Sequence, residues 1–524
     1  MRIEKWAVLL LPLSIAVIAG MSGGGRQKDQ YLSPCAVEAS RDGKALYVAE
    51  KTARQIAVYD RDANAVQKVI SLPGQPTGVA VRIGGNLLVT CGGASGKLNE
   101  IQPSTGQIIR TISVGHTPVA PVIGPAEDIA YVCNRYEDSI SVVDLDTGSE
   151  DAVIPVRRDP VAAALTPNGR YLFVANHLPA GAADSGYVSA EVSVIDTRQK
   201  AVTSSIRLPN GSTDLRGICI SPEGRYVYVT HLLARYKLPT TQLERGWMNT
   251  NALTVIDARS RERINTVLLD DVDLGAANPW GVRCTEAGRY ICVAHAGTNE
   301  LSVIDRAELH KRIRKAGRGE KATAFSDSAS HIENDLSFMT GIRRRIKLKG
   351  TGPRALEVVE NTVFATEYFS GSLGIARIDG KPPQVRSVAL GPEPEPRKAR
   401  RGQRLFHDAT ICYQQWQSCA SCHPGGRSDG LNWDLLNDGM GNPKNTKSLL
   451  LSHRTPPVMS TGVRARAEVA VRAGLKYIEM ADRPESEARA IDAYLRSLEP
   501  VQSPHLVEGR LSPLARKGKK LFES

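Results

Sequence analysis

The chain is poor in aromatic residues. Phe, Trp and Tyr make up 5% of its 524 residues, too few for a protein that grips RNA or single strands by stacking bases on aromatic faces. Cysteine is sparse as well, nine in all. That excludes a disulfide-built scaffold, and the odd number leaves at least one thiol unpaired within the chain. Long apolar runs are missing after the N-terminus, so no later segment is built to span a membrane as a helix. Acidic residues are the minority, 55 Asp and Glu against 67 Lys and Arg, for a net charge of +12. The surplus permits an anionic partner such as nucleic acid, a membrane surface or an acidic protein, and selects none of them.

Glycine and proline are plentiful at 46 and 30 residues, so turns are frequent. A hydrophobic share of 41% supplies real cores and excludes a wholly disordered chain. The length exceeds one ordinary domain and points to two or three units. At the start, Arg2 and Lys5 precede an apolar run from Trp6 to Ala19, followed by Gly20, Ser22 and Gly23. A charged start, a short apolar stretch and small residues predict a secretory signal peptide over residues 1–22, with a retained N-terminal anchor as the alternative. The mature chain is therefore expected in the periplasm or secreted, with no integral span beyond the signal.

A repeat organises residues 31–391. Pro34, Pro76, Pro118 and Pro160 each open a short apolar strand at 42-residue intervals, and further openings fall at Leu215, Pro279 and Pro353 after insertions of about 13, 22 and 32 residues. Each unit runs through a turn such as Pro167-Asn168-Gly169-Arg170, a strand such as Leu172-Phe173-Val174-Ala175-Asn176, and an alternating run such as Val192-Ser193-Val194-Ile195-Asp196. Four strands in about 42 residues is the size of a propeller blade, and seven openings predict seven blades. The Tyr-Val-Ala-Asn-like strand ends and Ser-Val-x-Asp strands resemble the YVTN family of β-propellers. That resemblance implies an all-β fold and leaves activity open.

Two registers within the repeat are candidates for function. Asn134, Asn176, His231 and His295 share the end of the second strand. They form either a polar rim for a ligand or metal, or bonds that close each blade. Arg216, Trp280 and Arg354 share a position near the start of the first strand, where they would line the axis. The basic charge is local: Arg306 to Lys349 carries 12 Lys and Arg against 5 Asp and Glu, including Arg343-Arg344-Arg345. It reads either as a solvated loop, its middle from Thr323 to Asn334 mobile, or as a docking surface for an acidic redox partner protein. Nucleic acid is not expected, since no aromatics are interleaved.

A Pro/Glu linker, Gly391 to Pro396, precedes a second unit over residues 392–500 whose composition is helical. It contains Cys419-Ala420-Ser421-Cys422-His423. Cys-x-x-Cys-His is the attachment motif of haem c: two thiols one turn apart form thioethers, and the adjacent His becomes an axial ligand. The expectation is one covalently attached haem c held by Cys419, Cys422 and His423. A zinc site built from Cys412, Cys419, Cys422 and His423 or His453 is the alternative, and a redox disulfide a lesser one. The flanks resemble class I cytochromes c, which implies a small all-α domain whose first and last helices cross, here at Gly402 and Phe406 against Tyr494. The sixth iron ligand is expected at Met459, whose proline-rich loop Thr455-Pro456-Pro457-Val458-Met459 resembles the distal loop of that class. Met440, Met480, His453 and an open position, which would favour peroxide chemistry, are the alternatives.

The stretch from Cys419 to Arg464 also resembles the di-haem cytochrome c peroxidase and MauG-like superfamily. The likeness rests on Gly425-Gly426-Arg427-Ser428-Asp429-Gly430 and Asn442 to Leu449, with Lys444 and Lys447 departing from the pattern. Residues 501–524 form a tail in which Ala515 to Phe522 repeats Ala399 to Phe406, like the opening helix of a second, truncated haem module. The function expected is electron transfer by an exported haem protein whose propeller recognises a redox partner. A peroxidase-like oxidoreductase acting with a second haem module, and a non-redox binding propeller, are the alternatives.

Overall fold

The computed structural model describes residues 30–239, 248–435, 439–507 and 509–524. The expected signal peptide, residues 1–22, lies outside the described residues. From Pro34 to Ala389 the chain forms seven four-stranded sheets, each antiparallel with its strands in sequence order. The first strands of successive sheets pack side by side, and the first strand of sheet 7 packs on that of sheet 1. The ring is closed, so these strands line an axis and the sheets are blades.

The repeat reads out directly. Pro34, Pro76, Pro118, Pro160, Pro279 and Pro353 are each the first residue of an innermost strand. Proline has no N–H to give to a ladder, and at a strand start none is lost. Blade 5 differs. Its innermost strand, Ser212–Ile220, starts before Leu215, because this blade's first three strands are each nine residues long. The apolar second strands are buried almost throughout, as in Tyr171–Asn176, while fourth strands such as Gln107–Ser113 are mostly exposed. Neighbouring blades cover both faces of the former. Leu32, Val37 and Leu46 pack with Phe364, Leu373 and Leu390 to join blade 1 to blade 7.

The basic insertion of blade 6 is not a solvated loop. Helix α1 (Arg306–Gly317) buries Leu309, His310, Ile313 and Ala316. Leu309 and Ile313, with Ile332, Phe338 and Met339 from the same insertion, complete a core shared with Tyr228 of blade 5 and Val293 of blade 6. The stretch expected to be mobile is tied down as well: Asp335 accepts from the Ser326 and Ser337 hydroxyls at 2.7 and 2.6 Å and from Thr323. Arg343-Arg344-Arg345 belongs to the outer strand Arg343–Lys347. Arg345 reaches Glu300 at 2.6 Å and Asp271 at 3.0 Å, Arg343 also pairs with Asp271, and Arg344 donates to the Ile378 carbonyl. Arg343 and Arg345 are thus matched by carboxylates within the propeller, and Arg344 is held by carbonyls. Lys311, Arg314, Lys315 and Arg318 remain exposed on and just after α1.

After the linker come α2 (Lys398–His407), α3 (Cys419–Cys422), α4 (Ala467–Tyr477), α5 (Glu485–Arg496) and α6 (Pro513–Glu523). Helices α2 and α5 cross closely. A Cβ on Gly402 would stand 1.8 Å from the Ala490 carbonyl oxygen, so only glycine permits the crossing. The Phe406 and Tyr494 rings meet at 5.3 Å between centroids, which is the contact expected from the sequence. Leu405, Ala420, Leu475, Ile491 and Leu495 complete this small core. In α6, Leu514, Leu521 and Phe522 are 79%, 77% and 93% exposed.

Candidate functional site at the propeller mouth

The polar register closes blades and forms no open rim. Asn134 donates to Ser139 and Ser141, Asn176 to Ser193, and His231 and His295 bond Thr254 and Ser302, all within their own blades and fully buried. The same place holds Glu50, bonded to Gln55, Cys91, bonded to Asn99, and Glu367, bonded to Ser372. Seven different-looking residues thus do one job, tying the second strand to the third. The second register does line the axis. The guanidinium carbons of Arg216 and Arg354 sit 4.0 and 4.6 Å from the Trp280 ring centroid.

The Cys-x-x-Cys-His segment is mounted on the propeller. The lengthened strands of blade 5 and the first turns of blade 6 reach up to it. Asn249 donates to Gln417 Oε1 at 2.9 Å and stands 3.3 Å from Cys422 Sγ. Asn278 donates to Ser421 Oγ and accepts from Ser418 Oγ, both at 3.0 Å. Asn251 donates to the Trp416 carbonyl, and the Trp416 ring packs fully buried against Leu233, Ala252, Leu268 and Leu336. Beyond the motif, Thr213 Oγ1 donates to the Asp429 carbonyl at 2.9 Å, and Trp433 Nε1 to Asp429 Oδ2 at 2.8 Å. Arg427 lies over the Tyr136 ring of blade 3 at 5.1 Å. None of these propeller residues is marked by a motif; the only hint in the sequence is that the later blades carry extra residues.

Helix α3 sets Cys419 and Cys422 three positions apart, about one turn, so both thiols leave the same side of the helix. His423 ends the helix, its N–H bonded to the Cys419 carbonyl at 3.0 Å. The chain then turns through Gly425 and Gly426 at positive φ. That turn brings the Arg427 carbonyl to 3.1 Å from His423 Nδ1. A carbonyl only accepts, so Nδ1 donates, and a neutral ring keeps its lone pair on Nε2. Burial lowers the His423 pKa, against the pull of the Arg427 and Lys447 backbones, which favours the neutral ring. Two thiols one turn apart beside such an imidazole are the residues that would hold a covalent haem c.

A buried carboxyl faces the first thiol. Glu479 is 3% exposed, and its Oε2 has no hydrogen-bond partner among the described residues. Burial pushes the Glu479 carboxyl up to about 7, opposed by the thiols of Cys412 and Cys419. Burial likewise pushes the Cys419 and Cys422 thiols well above their ordinary value. Among the described residues, no group of three or more His, Cys, Asp and Glu side chains is arranged to hold a metal ion. The donor set Cys412, Cys419, Cys422 and His423 or His453 is thus not gathered for zinc.

The candidates for a sixth ligand separate. His453 Nε2 is 3.1 Å from Asp492 Oδ1, in a pair about 4% and 2% exposed, so this nitrogen is already engaged. Met440 stands 74% exposed. Met459 and Met480 are both half-buried and both at positive φ, Met459 in a turn closed by the Gly462 N–H on its carbonyl.

No protein-family model matches the chain. It is 24% identical over 194 residues to hydrazine synthase subunit beta of Kuenenia stuttgartiensis, a match covering 37% of this chain and 48% of that protein. Over 137 residues it is 32% identical to hydrazine synthase subunit gamma of the same organism, covering 24% and 39%. Over 163 residues it is 26% identical to the seven-bladed beta-propeller protein Rv1057 of Mycobacterium tuberculosis, covering 28% and 39%. The solved structure of Kuenenia stuttgartiensis hydrazine synthase superposes with a TM-score of 0.60 at 22% identity, over 69% of this chain and 99% of that one. Residues 34–389 are a seven-bladed β-propeller. The chain spans less than half the length of the curated relatives it matches, and the propeller's likeness to the solved structure concerns the fold.

Proposed function

We propose that the protein is an exported c-type haem protein that carries electrons, its propeller serving as the platform on which a protein partner assembles. The observation that supports this most directly is the His423 arrangement: an imidazole directly after two thiols on one helical turn, with Nδ1 engaged by the Arg427 carbonyl at 3.1 Å. When bound, the haem supplies a one-electron iron couple. Cys419 and Cys422 would hold it covalently and His423 Nε2 would meet the iron, with Met459 as the proposed sixth ligand. Asn249, Asn278 and Ser421 hold the attachment helix rigidly on the propeller. Glu479 and Asn249 set the polarity beside the two sulfurs. The helical unit over residues 392–500 is, in this reading, a cytochrome c domain. Partner assembly is supported by two relatives named as subunits of hydrazine synthase.

The test is expression of the full chain in a host that exports proteins and attaches haem c. The expected result is a c-type spectrum in which the haem stays with the protein through acid–acetone extraction, with the product found outside the cytoplasm and its first residues removed. Cys419→Ala together with Cys422→Ala should abolish covalent attachment. A protein that emerges without haem, or with haem fully extractable, overturns the reading. Reduced wild type that does not bind carbon monoxide, beside Met459→Ala that does, assigns the sixth ligand; an unchanged response removes Met459 from that role.

A further inference from the structure

The axis of the propeller carries a positive charge that no carboxylate among the described residues pairs with. Arg216 and Arg354 both stack on Trp280, and Arg354 also lies 3.4 Å from the Tyr368 ring centroid. Arg216 has a carboxylate partner, Asp214 Oδ1 at 2.8 Å, which it shares with His177 at 3.3 Å. The neighbouring Arg135 is matched by Asp159 at 2.6 Å. Arg354 has no hydrogen bond and no ion pair among the described residues, and its guanidinium lies over the rings of Trp280, Tyr368 and Phe369. The Nε atoms of both Arg216 and Arg354 are buried without an acceptor among the described residues. Arg354 is half-buried, and a guanidinium drawn partly out of water without a carboxylate beside it is stabilised by a counter-charge.

A small cavity lies where that charge is. It is lined by Arg216, Arg354, Asp214, Asn278, His407 of α2 and Ala420 of α3, among others, and measures about 10 Å³, room for about one water-sized occupant. His407 adds no charge, because burial and the nearby Arg354 bring it down to about 3. Against the upward push of burial, Arg354 with Lys51 and Arg400 draws the Tyr368 phenol down to about 8, a mark of the same unbalanced field. Two guanidiniums and one shared carboxylate leave one positive charge around a space of single-atom size.

We propose that this axial cavity is a binding site for a small monovalent inorganic anion of halide size, held between Arg354 and Arg216 beneath the helix that carries Cys419 and Cys422. A single-atom ion matches a space of this size, and Asp214 on its wall disfavours higher charge. The site lies between the propeller and the helical unit, so the anion would fasten one to the other. This inference goes beyond the haem reading and stands without it.

Bromide provides the probe. The full chain crystallised with sodium bromide should show an anomalous peak within hydrogen-bond distance of the Arg354 guanidinium. At matched ionic strength, sodium chloride or bromide should raise the melting temperature of the wild type saturably, by about 2–4 °C relative to sodium gluconate. Arg354→Gln should lose that anion-specific rise, while Arg354→Lys, which keeps the charge, should retain part of it. A wild-type crystal with no bromide at Arg354 overturns the proposal even if the variants fail to fold. So does a water or a haem carboxylate occupying the position, or an equal response to gluconate and chloride.

Discussion

Asn249 Nδ2 lies 3.3 Å from Cys422 Sγ and 2.9 Å from Gln417 Oε1. A strand of blade 5 therefore touches the Cys-x-x-Cys-His motif itself, across 173 residues of chain. Removing that amide leaves Gln417 Oε1 buried without its donor, a loss of about 1–3 kcal/mol. Asn249→Ala should lower stability by that amount in urea denaturation. No change would mean that the amide does not hold the segment.

Trp416 anchors the helical unit mechanically. Its side chain is fully buried among Leu233, Ala252, Leu268 and Leu336 of the propeller. Trp416→Ala removes the largest side chain at this junction, at a cost of about 3–5 kcal/mol. Protease should then cut the linker around Gly391 to Arg397 faster than in the wild type, with the propeller left as a stable fragment. Equal cutting rates would contradict this role for Trp416.

Glycines 402 and 518 occupy equivalent places in the repeated stretches of α2 and α6, and they offer a matched pair. A Cβ at Gly402 meets the Ala490 carbonyl at 1.8 Å, whereas at Gly518 it meets nothing within 4 Å. Gly402→Ala should destabilise by about 3 kcal/mol through overpacking, reduced by the ~1 kcal/mol that alanine contributes to a helix. Gly518→Ala should be neutral or slightly stabilising. Thermal unfolding of both variants reads the contrast directly.

Burial holds the Glu479 carboxyl at about 7, above its ordinary 4.5. The folded chain then binds a proton more tightly than the unfolded one. The associated stability is fully present below about pH 4.5 and is lost as pH rises towards 7. Glu479→Gln keeps the shape and removes the titration. The stability of the variant minus that of the wild type should grow between pH 4.5 and 7, by up to ~3 kcal/mol, and stay level above. A difference that does not vary with pH would place Glu479 outside this behaviour.

Much of the propeller is legible in the chain because each blade comes from one contiguous stretch. Six of the seven predicted openings are the first residues of innermost strands. Blade 5 deviates because residues added to this unit lengthen its first three strands. The end-of-strand register was visible at Asn134, Asn176, His231 and His295. It was invisible at Glu50, Cys91 and Glu367, because a carboxylate, a thiol, an amide and an imidazole all bond a neighbouring strand and share no sequence letter. The arginine run misled for a related reason. Charge counted along the chain omits partners such as Asp271 and Glu300, which the fold brings to Arg343 and Arg345.

By itself, then, the sequence determined the seven blades, the Arg216, Trp280 and Arg354 positions at the axis, and the Cys419, Cys422 and His423 motif, since all of these are encoded by local spacing. Tertiary structure alone decided where the motif sits. Asn278 meets Ser421 across 143 residues, and Thr213 meets Asp429 across 216. Such hydrogen bonds join segments that carry no common periodicity, so they exist only once the ring has closed and its mouth can receive the helix.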